Sequence, residues 1–339
     1  MRRWMIAAAA WLALAVPAAA KPLVVILADA DGTETTDLIA PYAILAESGA
    51  VEVKVVAASA APIKLMPGMA RISPQMTLAE LARRPKGPDV VIVPAMHQVR
   101  DPERAAWLQA QARAGARLVS ICDGSLVLAE AGLLDGRQAT VHWFSAEGLA
   151  KKHPKVTLRR DLRWVTDGPI TTTAGVSASA PASLALLKDL AGDDVMRATA
   201  GRLGLAQPDP RHAGGDYRLS SRPLGVAAGN AAAFWRRDDV QVALSPGIDE
   251  FSFAAVLDGW SRTYRSTAWA TGPATVVSRR GLTLHADPAA PKRFDRQASL
   301  PATGPIEGMI DQVRAAYGQP TARFVALQLE HPYGALSAW

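Results

Sequence analysis

Residues 117–132 read Arg-Leu-Val-Ser-Ile-Cys-Asp-Gly-Ser-Leu-Val-Leu-Ala-Glu-Ala-Gly. The first five carry the apolar run of a buried strand, and the stretch after Gly124 carries helical spacing up to Gly132. A strand that turns at once into a helix lifts the intervening side chain off the sheet and points the helix N-terminus at it. Cys122 occupies that position, and a helix N-terminus favours a thiolate. The same placement also suits a small buried hydrophobe, which is how many free cysteines behave. The residues leave both readings open.

The pattern repeats outward from this turn. Apolar runs at 22–28, 51–57, 88–94, 116–121 and 170–173 alternate with helical segments at 36–48, 78–84, 104–113, 126–134 and 181–190. Strands without in–out alternation, separated by helices, predict a doubly wound, mostly parallel α/β sheet. A hairpin is expected from 156–161 with 163–165. The first unit, 21–205, is followed by a Gly/Pro-rich stretch at 206–235 that reads as a linker. A second unit, 236–339, then shows an apolar run at 240–246 and a helix at 248–260. These match the first strand and helix at an offset of 215, which places Asp37 on Ser252. The segment 310–318 matches 184–192 at an offset of 126. The C-terminal unit is therefore expected to be a truncated α/β half-copy that has lost the counterpart of Cys122.

Residues 1–20 combine Arg2 and Arg3, an apolar run and an Ala-x-Ala ending. This is the pattern of a cleaved secretory signal, which predicts a periplasmic or secreted protein with no stable membrane span after cleavage; retention as an uncleaved anchor is the alternative. The formal net charge of +6 in 339 residues is dispersed and partly lies in that leader, so nucleic acid is not an expected partner. With 49% hydrophobic residues the chain can build a large core, and one cysteine forms no internal disulfide.

A thiol nucleophile needs a proton acceptor or a charge partner. Asp37, opening the first helix, is placed to reach the carboxyl edge of the sheet, with Asp29, Asp31 and Glu34 as rivals. His142 follows about twenty residues after the thiol on an apolar segment, a position that fits a core histidine as well as a base. His212 with Asp216, and His285 with Asp287, lack a paired Cys/His frame. No phosphate or dinucleotide glycine motif occurs either. No metal and no cofactor are expected.

Three motifs now carry a resemblance. Residues 120–143, from Ser-Ile-Cys-Asp-Gly to Thr-Val-His-Trp, together with Asp37-Leu-Ile-Ala-Pro-Tyr42 and Thr172-Thr-Ala-Gly-Val-Ser177, resemble the ThiJ/PfpI (DJ-1-like) superfamily. The branch in view contains isonitrile hydratases and the amidase-like sensor domains of AraC-type (GlxA-like) regulators. The resemblance implies a flavodoxin-like, class I glutamine-amidotransferase-like fold. It also makes Cys122 an elbow nucleophile and Asp37 the acid hydrogen-bonded to the sulfur. Oxyanion donors would come from the amides of Asp123 and the loop after Pro94, and Gly124, Ala95 and Met96 would line the pocket. His142 is not a required base in the hydratase type. Two departures stand out: Asp123 follows the cysteine where the hydratase branch carries Thr, and Ala95-Met96 replaces a Gly-Gly pair. The first opposes a thiolate and the second narrows the site, which argues against a protease.

The expected function is therefore an exported, cysteine-dependent small-molecule hydrolase or hydratase. The alternative is a ligand-sensing or partner-binding module without a helix-turn-helix, and redox sensing by the thiol is a third option. Relatives form homodimers; the half-copy offers an intrachain pseudo-dimer instead. A thiol pKa well below about 8.5 would favour chemistry, and a normal or raised one a binding module.

Overall fold

The computed structural model describes residues 20–339; the signal-peptide reading falls on 1–20 and so lies outside the described residues except for Ala20. The central sheet has seven strands, β1 (Leu23–Leu27), β2 (Glu52–Ala57), β3 (Met76–Thr77), β4 (Val90–Val93), β5 (Arg117–Ser120), β6 (Trp164–Asp167) and β7 (Ile170–Thr173), in the order β6-β7-β5-β4-β1-β2-β3. Every neighbouring pair is parallel except β6 with β7. The middle strands are buried along their length, as strands covered on both faces require. The doubly wound expectation holds.

Helix α1 (Thr35–Ser48) begins at Glu34, whose side chain accepts the Asp37 N–H, and ends at Gly49 in the left-handed conformation, φ 62°. Of its 14 residues the first 11 are buried, because further layers pack on it. These are α3 (Ser179–Ala191), α4 (Asp193–Leu203) and α5 (Glu250–Ser261), all of which contact α1. Helix α2 (Gly124–Glu130) follows the Cys122 turn.

The C-terminal residues form a three-stranded parallel sheet, β9 (Ser266–Thr271) beside β8 (Asp238–Ala243) beside β10 (Arg296–Ala298), with α5 and the long helix α6 (Pro305–Gln328) packed together. One apolar core runs through both regions, from Val24 and Leu38 to Phe251, Phe253 and Val325. Burying each such large side chain contributes about 1.5–3 kcal/mol. A five-stranded sheet mixes strands from both as well, joining Thr283–Ala286 to Ala70–Ile72.

Local geometry recurs at the expected offsets. Asp249, 215 residues after Glu34, caps α5 by accepting the Ser252 N–H at 2.9 Å, as Glu34 accepts that of Asp37 at 2.5 Å. Gly318 interrupts α6 with φ 82° and ψ 168°; Gly192, 126 residues earlier, separates α3 from α4 with φ 89° and ψ 167°.

Two expectations need correction. The stretch 206–235 is not an open linker, since it carries the helix Ser221–Ala232 and is tied down by His212; glycine and proline content outweighed a helix-compatible Ala-rich run in the sequence reading. The expected 156–165 hairpin does not form. Thr157–Leu158 pairs in parallel with Gln138–Ala139, and Trp164–Asp167 turns back on β7 instead.

Candidate active site

Cys122 sits at the end of β5 with φ 54°, a left-handed backbone that costs a non-glycine residue of order 1–3 kcal/mol. Neighbouring groups hold it there. The Cys122 N–H donates to Thr173 Oγ1 at 3.1 Å, and Ser120 and Ser125 hydroxyls meet at 2.9 Å under the turn. Gly124 lets the helix start against β4: a Cβ there would stand 1.9 Å from the Val93 carbonyl oxygen. The elbow read from the sequence is present, and its side chain is buried, 6% exposed.

Asp37 lies at the same edge, fully buried. Its Oδ2 accepts the Ala95 N–H at 3.2 Å, whereas its Oδ1 has no hydrogen-bond partner among the described residues. The expected hydrogen bond between Asp37 and the sulfur is thus not formed, and the two groups interact through charge. Burial pushes the Asp37 carboxyl up to about 7, against the Ala95 amide and Arg262, which pull it down. Cys122 is also pushed up, first by burial and then by the charges of Asp37, Asp123 and Glu34, with Arg262 as the opposing cation. The thiol is therefore a neutral S–H near neutral pH, contrary to the thiolate expectation. The dipole of the seven-residue helix α2 does not offset three carboxylates and desolvation.

Asp123 points inward. Its Oδ2 accepts the Ser145 hydroxyl at 2.9 Å, its Oδ1 is buried without a partner, and burial raises its pKa. Its backbone N–H has no hydrogen-bond partner among the described residues and is free to face a ligand, whereas the Ala95 amide is already taken. Met96 is buried and its sulfur accepts from Arg104 Nη1 at 3.2 Å, which closes the loop where glycines were absent. His142 caps the short turn Trp143–Ser145; its Nε2 contacts the Gln328 carbonyl at 2.9 Å and its Nδ1 lies 3.4 Å from the Phe144 N–H. Cys122, Asp123 and His142 offer donor atoms that all lie within 4.8 Å of one another. A cleft of about 570 Å³ lined by His97, Leu126, Phe144 and Ser145 adjoins this group through Ser145.

Of the rivals, Glu34 belongs to the site and Asp29 does not, being paired with Arg104 at 2.7 Å. His212 and His285 form no pair with their neighbouring aspartates; they contact Glu330 and Ser73.

Two residues from the C-terminal region were missed. Arg262 Nη2 meets Glu34 Oε1 at 2.6 Å and its Nε meets Asp258 Oδ1 at 2.5 Å, while Thr36 donates to Asp258 Oδ2 at 2.9 Å. Glu34 is nevertheless pushed up by burial and by Asp258 and Asp37. Glu330 adopts φ 58°, accepts the Gly175 N–H at 2.6 Å and the Trp143 N–H at 3.3 Å, and holds His212 at 2.7 Å. A sequence signal for Glu330 did exist. At the offset of 126 it falls on Gly204, the left-handed residue that ends α4 at φ 64°.

The sequence profile of the DJ-1/PfpI family matches residues 22–189. An isonitrile hydratase from Pseudomonas putida is 29% identical over 200 residues, 58% of this chain and 84% of that protein. The HTH-type transcriptional regulator CdhR of Pseudomonas aeruginosa is 34% identical over 128 residues, 37% of this chain; the match spans only 38% of the regulator's length. A ThiJ/PfpI family protein from Pseudomonas syringae superposes with a TM-score of 0.52 at 22% identity, over 71% of this chain and 93% of that one, which shows the shared fold.

Proposed function

Because residues 22–189 of this chain are a DJ-1/PfpI domain, we propose that it adds water to a small electrophilic compound, isonitriles being the first class to test, through a Cys122 adduct managed by Asp37. The observation that carries this reading is an acid held near pH 7 beside a strained elbow thiol. A proton acceptor with that pKa is matched to neutral conditions. Since the thiol is neutral, its S–H bond must break as the S–C bond to substrate forms. The proton passes to the Asp37 carboxylate and from there to the substrate. Water then attacks the same carbon, the S–C bond breaks, the thiol regains its proton, and the net change is the addition of one water. The free Asp123 amide supplies a donor for charge that develops on the substrate.

A second reading is favoured by the raised thiol and the occupied Ala95 amide: a ligand-sensing domain related to the CdhR-like regulators that does no chemistry. No described helix is long and apolar enough to cross a membrane. Export belongs to this proposal as well and rests on the composition of residues 1–20.

Turnover of a small isonitrile to the formamide decides between the readings. On the hydration reading the rate rises with pH through about 7 as Asp37 ionises, and Cys122→Ala abolishes it. Saturable ligand binding without turnover, or turnover that survives Cys122→Ala, would overturn it in favour of the sensor reading or of another nucleophile.

A further inference from the structure

Asp123 has no use in the thiol chemistry above through its side chain, which only works against the thiol. Yet it is held firmly in place. The Ser145 hydroxyl fixes Oδ2 at 2.9 Å and leaves Oδ1 buried and unpaired, and the Asp123 carboxylate belongs to the group formed with Cys122 and His142. An unpaired buried carboxylate oxygen costs about 1–3 kcal/mol or more, so a fold that retains one at a site implies an occupant. His142 is oriented by a similar device. Its Nε2 donates to the Gln328 carbonyl at 2.9 Å, which leaves Nδ1 as the ring acceptor; Nδ1 takes only the long 3.4 Å contact from the Phe144 N–H, which a bound cation would displace. A metal-bound imidazole is characteristically held in this way, by a carbonyl or carboxylate on its other nitrogen. The third donor is the sulfur at the elbow, and a second unpaired buried oxygen, Asp37 Oδ1, lies beside it.

From these contacts we infer that Cys122 Sγ, Asp123 Oδ1 and His142 Nδ1 form a binding site for Zn²⁺, with one coordination position left for water. One sulfur, one imidazole nitrogen and one carboxylate oxygen are ligand types that zinc accepts, and three protein ligands with an open fourth position is its usual reactive arrangement. A tetrahedral ion with bonds of about 2.0–2.3 Å sets its ligands about 3.3–3.7 Å apart. The donors here lie within 4.8 Å, so closure needs a shift of about 1 Å, within side-chain rotation. The charge balance also favours a cation, since Asp37, Asp123 and Glu34 surround the thiol with Arg262 as the opposing charge. Binding releases the thiol proton, forms the S–Zn bond and occupies the sulfur. The metal-bound state therefore excludes the Cys122 adduct proposed above: zinc acts as a reversible block on that chemistry.

Titration of the apo protein with Co²⁺, a spectroscopic stand-in for Zn²⁺, tests the site without reference to activity. A thiolate-to-cobalt charge-transfer band should appear, be displaced by Zn²⁺, and be lost in Asp123→Asn and in His142→Ala. Each of these substitutions should weaken Zn²⁺ binding at least as much as the about 10–100-fold that losing a ligand's supporting partner costs. In the unaltered protein Zn²⁺ should also protect Cys122 from alkylation, a readout that depends on no variant folding. Absence of the band and of protection overturns the site; a band retained in either variant overturns its ligand set. Hydration measured with a chelator present reports on the proposed function separately, so either idea can fail while the other stands.

Discussion

Arg262→Met is expected to destabilise the protein by about 3–5 kcal/mol, the usual cost of removing one partner from a buried ion pair. Methionine keeps the length and the apolar stem but removes the only charge that Glu34 and Asp258 share, at 2.6 and 2.5 Å. Arg262 also joins the end of α5 to the start of α1, so the loss falls on the contact between the two regions of the chain. The effect should depend on pH in a definite direction. Without the guanidinium that pulls it down, Glu34 holds its proton to still higher pH in the folded state than when unfolded, so the native state binds more protons and stability falls as pH rises. The penalty should therefore be larger at pH 8 than at pH 5 in denaturant melts. Adding Glu34→Gln and Asp258→Asn should recover part of the loss, because it is the unpaired charge that is costly. An equal penalty at both pH values would mean that Arg262 acts by packing alone.

Asp37→Asn is expected to stabilise the protein at alkaline pH and to leave it unchanged in acid. The folded pKa of about 7 lies above the unfolded value of about 3.9. Between these values the native state holds a proton that the unfolded state has released. The neutral carboxyl's contribution is thus fully present below about pH 4 and lost as pH rises through about 7. Above that, an ionised carboxylate must stay fully buried, at a cost of up to about 4 kcal/mol. Asparagine can still accept the Ala95 N–H and carries no charge. The stability difference between variant and parent should grow from near zero at pH 4 towards that ceiling at pH 8. The same substitution removes the proton acceptor from the proposed hydration, so stability and turnover should move in opposite directions. A difference that does not change with pH would show that Asp37 is ionised throughout and its burial is otherwise compensated.

The elbow and the strand–helix alternation were legible in the sequence because each is written locally: an apolar run, a glycine where a Cβ would strike Val93, a cap before a helix; the placing of Asp37 and His142 near Cys122 came from the family resemblance instead. The charge state of the sulfur was not. It depends on how far Asp123 turns inward and on Arg262 arriving from 140 residues downstream, and neither periodicity nor spacing encodes such contacts. Glu330 was hidden for a related reason, since a glutamate in a left-handed backbone has no composition signal; only the offset to Gly204 exposes it. The stretch 206–235 misled by composition, because Gly and Pro mark turns whether or not a helix such as Ser221–Ala232 follows them.

Because Cys122 is the sole cysteine, the pH dependence of alkylation by iodoacetamide reports on this sulfur alone. With burial and three carboxylates acting on a neutral thiol, the rate should stay low and nearly flat through neutral pH and climb only above the ordinary thiol value of about 8.5. In Asp37→Asn the climb should begin at lower pH. A rate that reaches its plateau below about pH 7 would mean the sulfur is a stored thiolate, and would contradict the electrostatic account of the site.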